Sequence, residues 1–319
     1  MATFQLKPER STLHGTFSRD YEPVLTIDSG DTVIYETLDP GWFTRMPGDR
    51  DSSPRFEPRD PERDGGHALC GPVEIRGARA GMVLEIAIGA ILPGTWGWTC
   101  AGGWKNGINE HLGLDAGERF EVRWQLDAET MTGTSDQGHR LPLQPFMGVM
   151  GMPPAAPGVH STGPPRPCGG NLDCKELTTG STLFLPIEVD GALFSVGDGH
   201  ARQGDGEACQ IAIECPMRHL ELKFALRDDL QLATPRIETA AAWITLGLHE
   251  DLDQAATLAL DAMLDVLVEH YLIERKYAFA LASLSVDLRI TQMVNGTRGV
   301  HAVLARDLIE AVDRSVLDP

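Results

Sequence analysis

Two segments of this 319-residue chain crowd carboxylates, an imidazole and glycines together. The first runs Gly169-Gly170-Asn171-Leu172-Asp173-Cys174-Lys175-Glu176. The second runs Gly197-Asp198-Gly199-His200-Ala201-Arg202-Gln203-Gly204-Asp205-Gly206-Glu207. Residues i and i+2 of a strand share a face. That spacing groups Asn171 with Asp173 and Lys175, Asp198 with His200, and Asp205 with Glu207. Carboxylate and imidazole on one face are suitable ligands for a divalent first-row metal, zinc above all. The glycines between them let backbone approach a ligand closely. His67, after Gly65-Gly66, offers a third direction of approach. The bland alternative is that Asp-Gly pairs are solvated turns. A second alternative keeps a metal but no chemistry: Asp198, Asp205 and Glu207 form an all-oxygen set that suits calcium. With a tryptophan-lined groove, that reading gives a non-catalytic, calcium-dependent carbohydrate-binding β-sandwich.

Nucleophile schemes find less support. There is no G-x-S-x-G elbow. Cys174 sits beside Lys175 and Glu176, but adjacent strand residues point to opposite faces, so it reads as a buried structural thiol. Cys209 and Cys215 lie on an apolar strand and read as core. His111, His139, His160, His249, His270 and His301 show no partner pattern. Nucleotide-binding glycine motifs are absent in useful contexts.

These residues need a scaffold, and the pattern around them is mostly β. Val24–Ile27 and Thr32–Thr37 are β-branched runs flanking the turn Asp28-Ser29-Gly30-Asp31. Gly81–Ile88 reads as a buried strand, and Phe120–Leu126 alternates as a strand should. Ser181–Val189 and Ala192–Val196 flank Asp190-Gly191, a hairpin signal. Ala208–Cys215 and His219–Ala225 read as further strands. Pro40–Gly66 and Met147–Gly170 read as long loops. Trp96, Trp98 and Trp104 stand among glycines in a loop or pocket wall. After residue 235 the pattern changes. Asp251–Leu272 has helical spacing, Arg275–Leu284 a second helix, Val286–Val294 a strand ending at the Asn295-Gly296 turn, and Arg306–Val312 a closing helix. The expected fold is mainly β, sandwich or jelly-roll-like, with a C-terminal α+β portion. The expected division is 1–235 and 236–319, which could also form one continuous domain.

Bulk composition narrows the partners. Asp and Glu number 46 against 27 Lys and Arg, a net charge of −19. That charge repels phosphate backbones and anionic lipid, so neither nucleic acid nor membrane is an expected partner. Residues 1–10 lack a basic start ahead of an apolar core, so no signal peptide is expected. The six cysteines form no C-x-x-C, which points to reduced thiols and a cytoplasmic location.

At these residues the chain resembles the acetamidase/formamidase family. The matching pieces are Gly66-His67 with Gly71-Pro72, Gly169-Gly170-Asn171-Leu172-Asp173, and Leu183–Pro186. The longest runs from Gly191 through Asp198-Gly199-His200 to Gln203-Gly204-Asp205-Gly206-Glu207 and Ile213-Glu214, with later echoes at Ala280–Thr291. Arg202 stands where a small residue would be expected, and Gln210 where glycine would be. The resemblance implies hydrolysis of short amides to carboxylate and ammonia, a β-sandwich-rich fold with added helices, a divalent metal, and a homodimer or higher homo-oligomer. Members acting on larger or carboxylate-bearing amides remain an alternative. An amide needs an activated water, an electrophile for its oxygen and a proton for its nitrogen. Zinc supplies the first two and a carboxylate the third. The candidate ligands are His67, Asp173, Asp198 and His200, and the candidate proton shuttles Glu207 and Glu214. Asn171, Lys175, Trp98 and Arg202 are the candidate substrate-binding residues.

Overall fold

The computed structural model describes residues 1–48 and 53–310. Two large sheets carry the fold. The nine-stranded sheet has the spatial order Thr3–Leu6, Thr32–Tyr35, Met217–Arg227, Val83–Pro93, Thr182–Pro186, Arg236–Glu238, Ala242–His249, Arg298–Ala305, Val286–Gln292. The six-stranded sheet runs Gly169–Asn171, Phe146–Gly151, Phe194–His200, Leu69–Ile75, Leu13–His14, with Leu25–Ile27 added in parallel to Leu69–Ile75.

The sheets share one apolar core. Leu84, Ile86 and Ile88 face inward at every second position of one strand, as do Leu220, Leu222 and Phe224 of its neighbour. They meet Val73, Phe146 and Val196 of the other sheet in the same cluster. Phe194 and Phe224 join the layers edge to face, with ring centroids 5.1 Å apart. Face-to-face packing of two sheets through interdigitated side chains is the sandwich arrangement, so the β-rich expectation holds. A four-stranded sheet, Arg140–Pro142, Thr132–Ser135, Phe120–Asp127, Trp96–Ala101, adds a wall beside the sandwich.

Three helices are present among the described residues: α1 (Gly107–Leu112), α2 (Leu252–Tyr271) and α3 (Arg275–Ser285). The Asp251 carboxylate caps α2 by accepting from Gln254 N at 3.0 Å. Its apolar stripe, Ala255, Ala259, Met263 and Leu267, packs on the C-terminal strands. The approach is close enough that a Cβ at Gly247 would fall 1.9 Å from Ala255 O.

Several expectations need correction. Neither the Asp28-Ser29-Gly30-Asp31 turn nor Asp190-Gly191 joins neighbouring strands. Leu25–Ile27 belongs to the six-stranded sheet and Thr32–Tyr35 to the nine-stranded one. Likewise Thr182–Pro186 and Phe194–His200 lie in different sheets. At the second crossing Gly191, Ala192 and Leu193 have φ of 80°, 63° and 57°. Three successive left-handed residues swing the outgoing strand into the other layer. The Met147–Gly170 stretch is not a loop throughout, because Phe146–Gly151 is a buried interior strand. Trp96–Ala101 is a strand too. Ala208–Cys215 forms no strand; Glu214 makes only isolated bridges, to Trp98 and His200. No helix begins at Arg306 through Glu310; Ala311 and Val312 lie outside the described residues.

Candidate functional site

Three strands of the six-stranded sheet deliver the site. Asp198 and His200 end the strand Phe194–His200, Gly148 faces them from Phe146–Gly151, and Asp173 follows Gly169–Asn171. His200 Nε2 lies 3.3 Å from Asp198 Oδ1 and 3.2 Å from Glu214 Oε2. Ligand-capable atoms of Asp198, His200 and Glu214 fall within 4.8 Å of one another, as do those of Asp173, His200 and Glu207. All five residues are buried.

The backbone explains how they converge. Asp173, Asp198 and Glu207 adopt φ of 49°, 60° and 45°. The left-handed region is costly for non-glycine residues, on the order of 1–3 kcal/mol each, and such strain gathers at functional sites. Simple strand alternation therefore fails here, and three carboxylates turn toward one imidazole. Gly148 leaves the space: a Cβ there would lie 2.5 Å from Asp198 Oδ2 and 2.8 Å from Asp173 Oδ1.

Gln203 sets the tautomer of His200. Its Nε2 donates to Asp173 O at 2.9 Å, so its Oε1 faces His200 Nδ1 at 2.9 Å and must accept from it. That assignment leaves His200 Nε2 to face the two carboxylates, carrying a proton when no metal is bound and a lone pair, in the orientation of a metal ligand, in the neutral ring. Asp173 Oδ1, Glu207 Oε2, Glu214 Oε2 and Asn171 Oδ1 are buried without a hydrogen-bond partner. Buried oxygens without donors are expensive, and a cation among them removes that cost. The residues present therefore fit a divalent metal.

The electrostatics agree. Burial, reinforced by Asp198 and Glu214, pushes Asp173 up to about 8. Burial together with Asp173 raises Glu207 well above the usual carboxylate range. Burial also raises Glu214. Burial acts to raise Asp198, but His200 and His67 outweigh it and hold it at about 2. Burial works against a charged His200, yet Glu214 and Asp198 raise it well above the ordinary imidazole value. So many acids around one base call for a cation, whether proton or metal.

Above this cluster opens a cavity of about 440 Å³, walled by His67, Trp98, Trp104, Asn171 and Asn295 among others. His67 is held through Nδ1 by Thr162 Oγ1 at 2.9 Å and stands on the wall, outside the clustered ligand atoms. Asn171 donates Nδ2 to Gly163 O at 3.0 Å, leaving its oxygen free. Trp98 is buried, and its Nε1 donates to Asp39 Oδ2 at 2.8 Å.

Two residues expected to contact substrate are not among the cavity-lining residues. Lys175 Nζ pairs with Asp205 Oδ2 at 2.7 Å, because the left-handed Asp173 breaks the register that would have carried it inward. Arg202 donates to Pro142 O at 2.8 Å and is not among the cavity-lining residues. Asp205 is exposed and parts from Glu207, so Asp198, Asp205 and Glu207 do not form a calcium set. Cys174 is buried, and burial raises its thiol well above the usual range, as expected of a structural cysteine.

Four contributors escaped the sequence reading. Gly148 was hidden in a glycine- and methionine-rich stretch, and Asp39 carried no signal. Gln203 lay within the quoted run. Asn295 was seen only as a turn residue, yet its Nδ2 donates to Asp173 Oδ2 at 2.7 Å.

Comparison with known proteins gives concordant results. The family model described as the Acetamidase/Formamidase family matches residues 3–162 and 155–304. The acetamidase crystal structure from Bacillus halodurans superposes with a TM-score of 0.81 at 30% identity, covering 94% of this chain and 97% of that one. An acetamidase of Mycolicibacterium smegmatis is 26% identical over 252 residues, 61% of this chain and 61% of the relative. A formamidase of Methylophilus methylotrophus is 25% identical over 267 residues, 68% of this chain and 64% of the relative. The matches thus span about three fifths of these curated relatives.

Proposed function

The chain belongs to the acetamidase/formamidase family, and from that premise we propose that it hydrolyses the C–N bond of short amides, formamide- or acetamide-like, to carboxylate and ammonia with a divalent metal, zinc. The observation that carries the reading is the buried set Asp173, Asp198, His200, Glu207 and Glu214, with its orphaned oxygens, at the base of the cavity. Asp198, His200 and Glu214 would hold the metal, with Asp173 alongside and His67 above. When bound, a divalent cation supplies a Lewis acid for the amide oxygen and an activated water.

The protein's own groups do the rest. Glu207, with its raised proton affinity, holds a proton to deliver to the departing nitrogen, while Glu214, the other shuttle candidate, would be committed to the metal. Trp98 and Trp104 exclude water and confine the acyl group. The Asn171 side chain presents a free oxygen toward the cavity, able to accept from an amide N–H. Cavity size favours a second reading. About 440 Å³ lies within the ~300–1,000 Å³ typical of drug-sized ligands, so a larger amide also fits.

Free thiols at all six cysteines support a cytoplasmic protein, and no helix is long and apolar enough to cross a membrane among the described residues. Exposed Phe279, Leu284 and Leu288 support a homodimer or higher homo-oligomer, to be weighed by light scattering. The decisive experiment couples metal analysis to ammonia release across an amide panel. Chelation should abolish turnover and zinc restore it. Full activity in protein shown to be metal-free would overturn the metal reading.

A further inference from the structure

The segment that brings Asn171 and Asp173 to the cavity sends Cys174 and Glu176 elsewhere. Cys174 Sγ donates to Glu176 Oε2 at 3.4 Å, and that oxygen lies 3.5 Å from His301 Nε2. All three candidate ligand atoms fall within 4.8 Å of one another. Ligands on a tetrahedral zinc with bonds of about 2.0–2.3 Å stand roughly 3.3–3.8 Å apart. Both separations fall in that range.

The surroundings prepare this cluster for a cation. Cys174 and His301 are fully buried, whereas Glu176 retains 15% side-chain exposure and so keeps contact with solvent. His301 Nδ1 is bonded to Thr291 Oγ1 at 2.8 Å, which fixes the ring. Its Nε2 points at Glu176, buried and without a hydrogen-bond partner. Arg289 pairs with Glu176 Oε1 at 3.6 Å and leaves Oε2 to the cluster. An oriented imidazole, an oriented carboxylate and a thiol are what a soft divalent metal selects.

We propose that Cys174, Glu176 and His301 form a second metal site, distinct from the cavity cluster, which takes zinc or cobalt(II) through thiolate, carboxylate and imidazole. On binding, the Cys174 S–H bond breaks, its proton leaves to solvent, and the sulfur pair forms the bond to the metal. A fourth position remains for water. The site ties the Asp173 segment to strands Val286–Gln292 and Arg298–Ala305 and so holds the cavity ligand in place.

Cobalt(II) titration of the metal-stripped full-length protein tests this without relying on turnover. The cavity cluster holds no thiol, although Cys100 lines the cavity, so a thiolate-to-cobalt charge-transfer band in the near ultraviolet that survives Cys100→Ser reports the second site alone. The expected result is that band, with a second equivalent of metal by elemental analysis. Cys174→Ser should lose the band and one equivalent while retaining the other, and Cys215→Ser should keep both. Thr291→Val should weaken the second equivalent by about 10–100-fold. Absence of the band at saturating cobalt overturns the proposal, as does its persistence in Cys174→Ser. Should Cys174→Ser fail to fold, the wild-type spectrum and His301→Gln decide: the band must be present in the first and lost in the second. Failure of the cavity cluster to bind metal would remove the other equivalent and leave this band in place.

Discussion

An alanine methyl at Gly148 would sit 2.5 Å from Asp198 Oδ2 and 2.8 Å from His200 Cε1. Those atoms cannot retreat, since the surrounding strands are buried. Gly148→Ala should displace the ligands by a fraction of an ångström to an ångström, and activity should fall about 10²-fold or more. Kinetics with metal analysis would show it; unchanged turnover would refute the close packing. Asp39 carries a second residue-scale prediction. Burial pushes it from 3.8 up to about 7, although it accepts from Trp98 and Phe43. The folded state then binds an extra proton between those values, so this contribution to stability is complete below about 3.8 and lost as pH rises through about 7. Asp39→Asn should flatten the decline in melting temperature across that window by about one proton's worth. An equal slope in the variant would place the titration elsewhere. Asp173, Asp198 and His200 were legible in the sequence because carboxylate and imidazole types are intrinsically informative. Gly148 and Asp39 were not, because one acts by lacking atoms and the other through partners distant in the chain.

At the scale of elements, the strand Trp96–Ala101 and the turn after it form the cavity's apolar wall. Trp98 is pinned by Asp39 and stacks edge to face with Phe43 at 6.3 Å. Trp104 is only half-buried and lines the cavity. Trp104→Ala thus enlarges the pocket with less damage than Trp98→Ala. A methylene in a confined pocket is worth about 1–3 kcal/mol, or 10–200-fold in specificity. Values of kcat/KM for formamide, acetamide and propionamide should form a graded series in the native protein and shift toward longer acyl groups in the variant. An unchanged profile would make the wall structural. The elements themselves were unevenly legible. The α2 period and the strand Phe120–Asp127 follow directly from apolar spacing. The buried strand Phe146–Gly151, rich in glycine and methionine, has no alternation to read, since both its faces are covered. Asp-Gly chemistry marks the turn at residue 190, but not a hairpin: left-handed Ala192 and Leu193 carry the chain into the other sheet.

For the whole molecule the question is whether residues 236–319 can be parted from the rest. The nine-stranded sheet crosses that boundary through the ladder joining Thr182–Phe184 to Arg236–Glu238. Asn295 reaches back to Asp173, and Gly206 bridges to Gln292. Removing residues 236–319 would expose the edge of Thr182–Pro186 and leave Asp173 Oδ2 without its amide donor. An uncovered, apolar strand edge invites aggregation. The intact chain should therefore unfold in one cooperative transition, with calorimetric and van't Hoff enthalpies in agreement. The fragment 1–235 should neither fold stably nor retain metal at the cavity cluster. Two resolved transitions, or a folded fragment with native metal content, would show that the N-terminal part is an autonomous domain. The physical reason to expect one unit is that the clustered acids come from the sandwich, while one of the donors that orient them comes from the last hairpin.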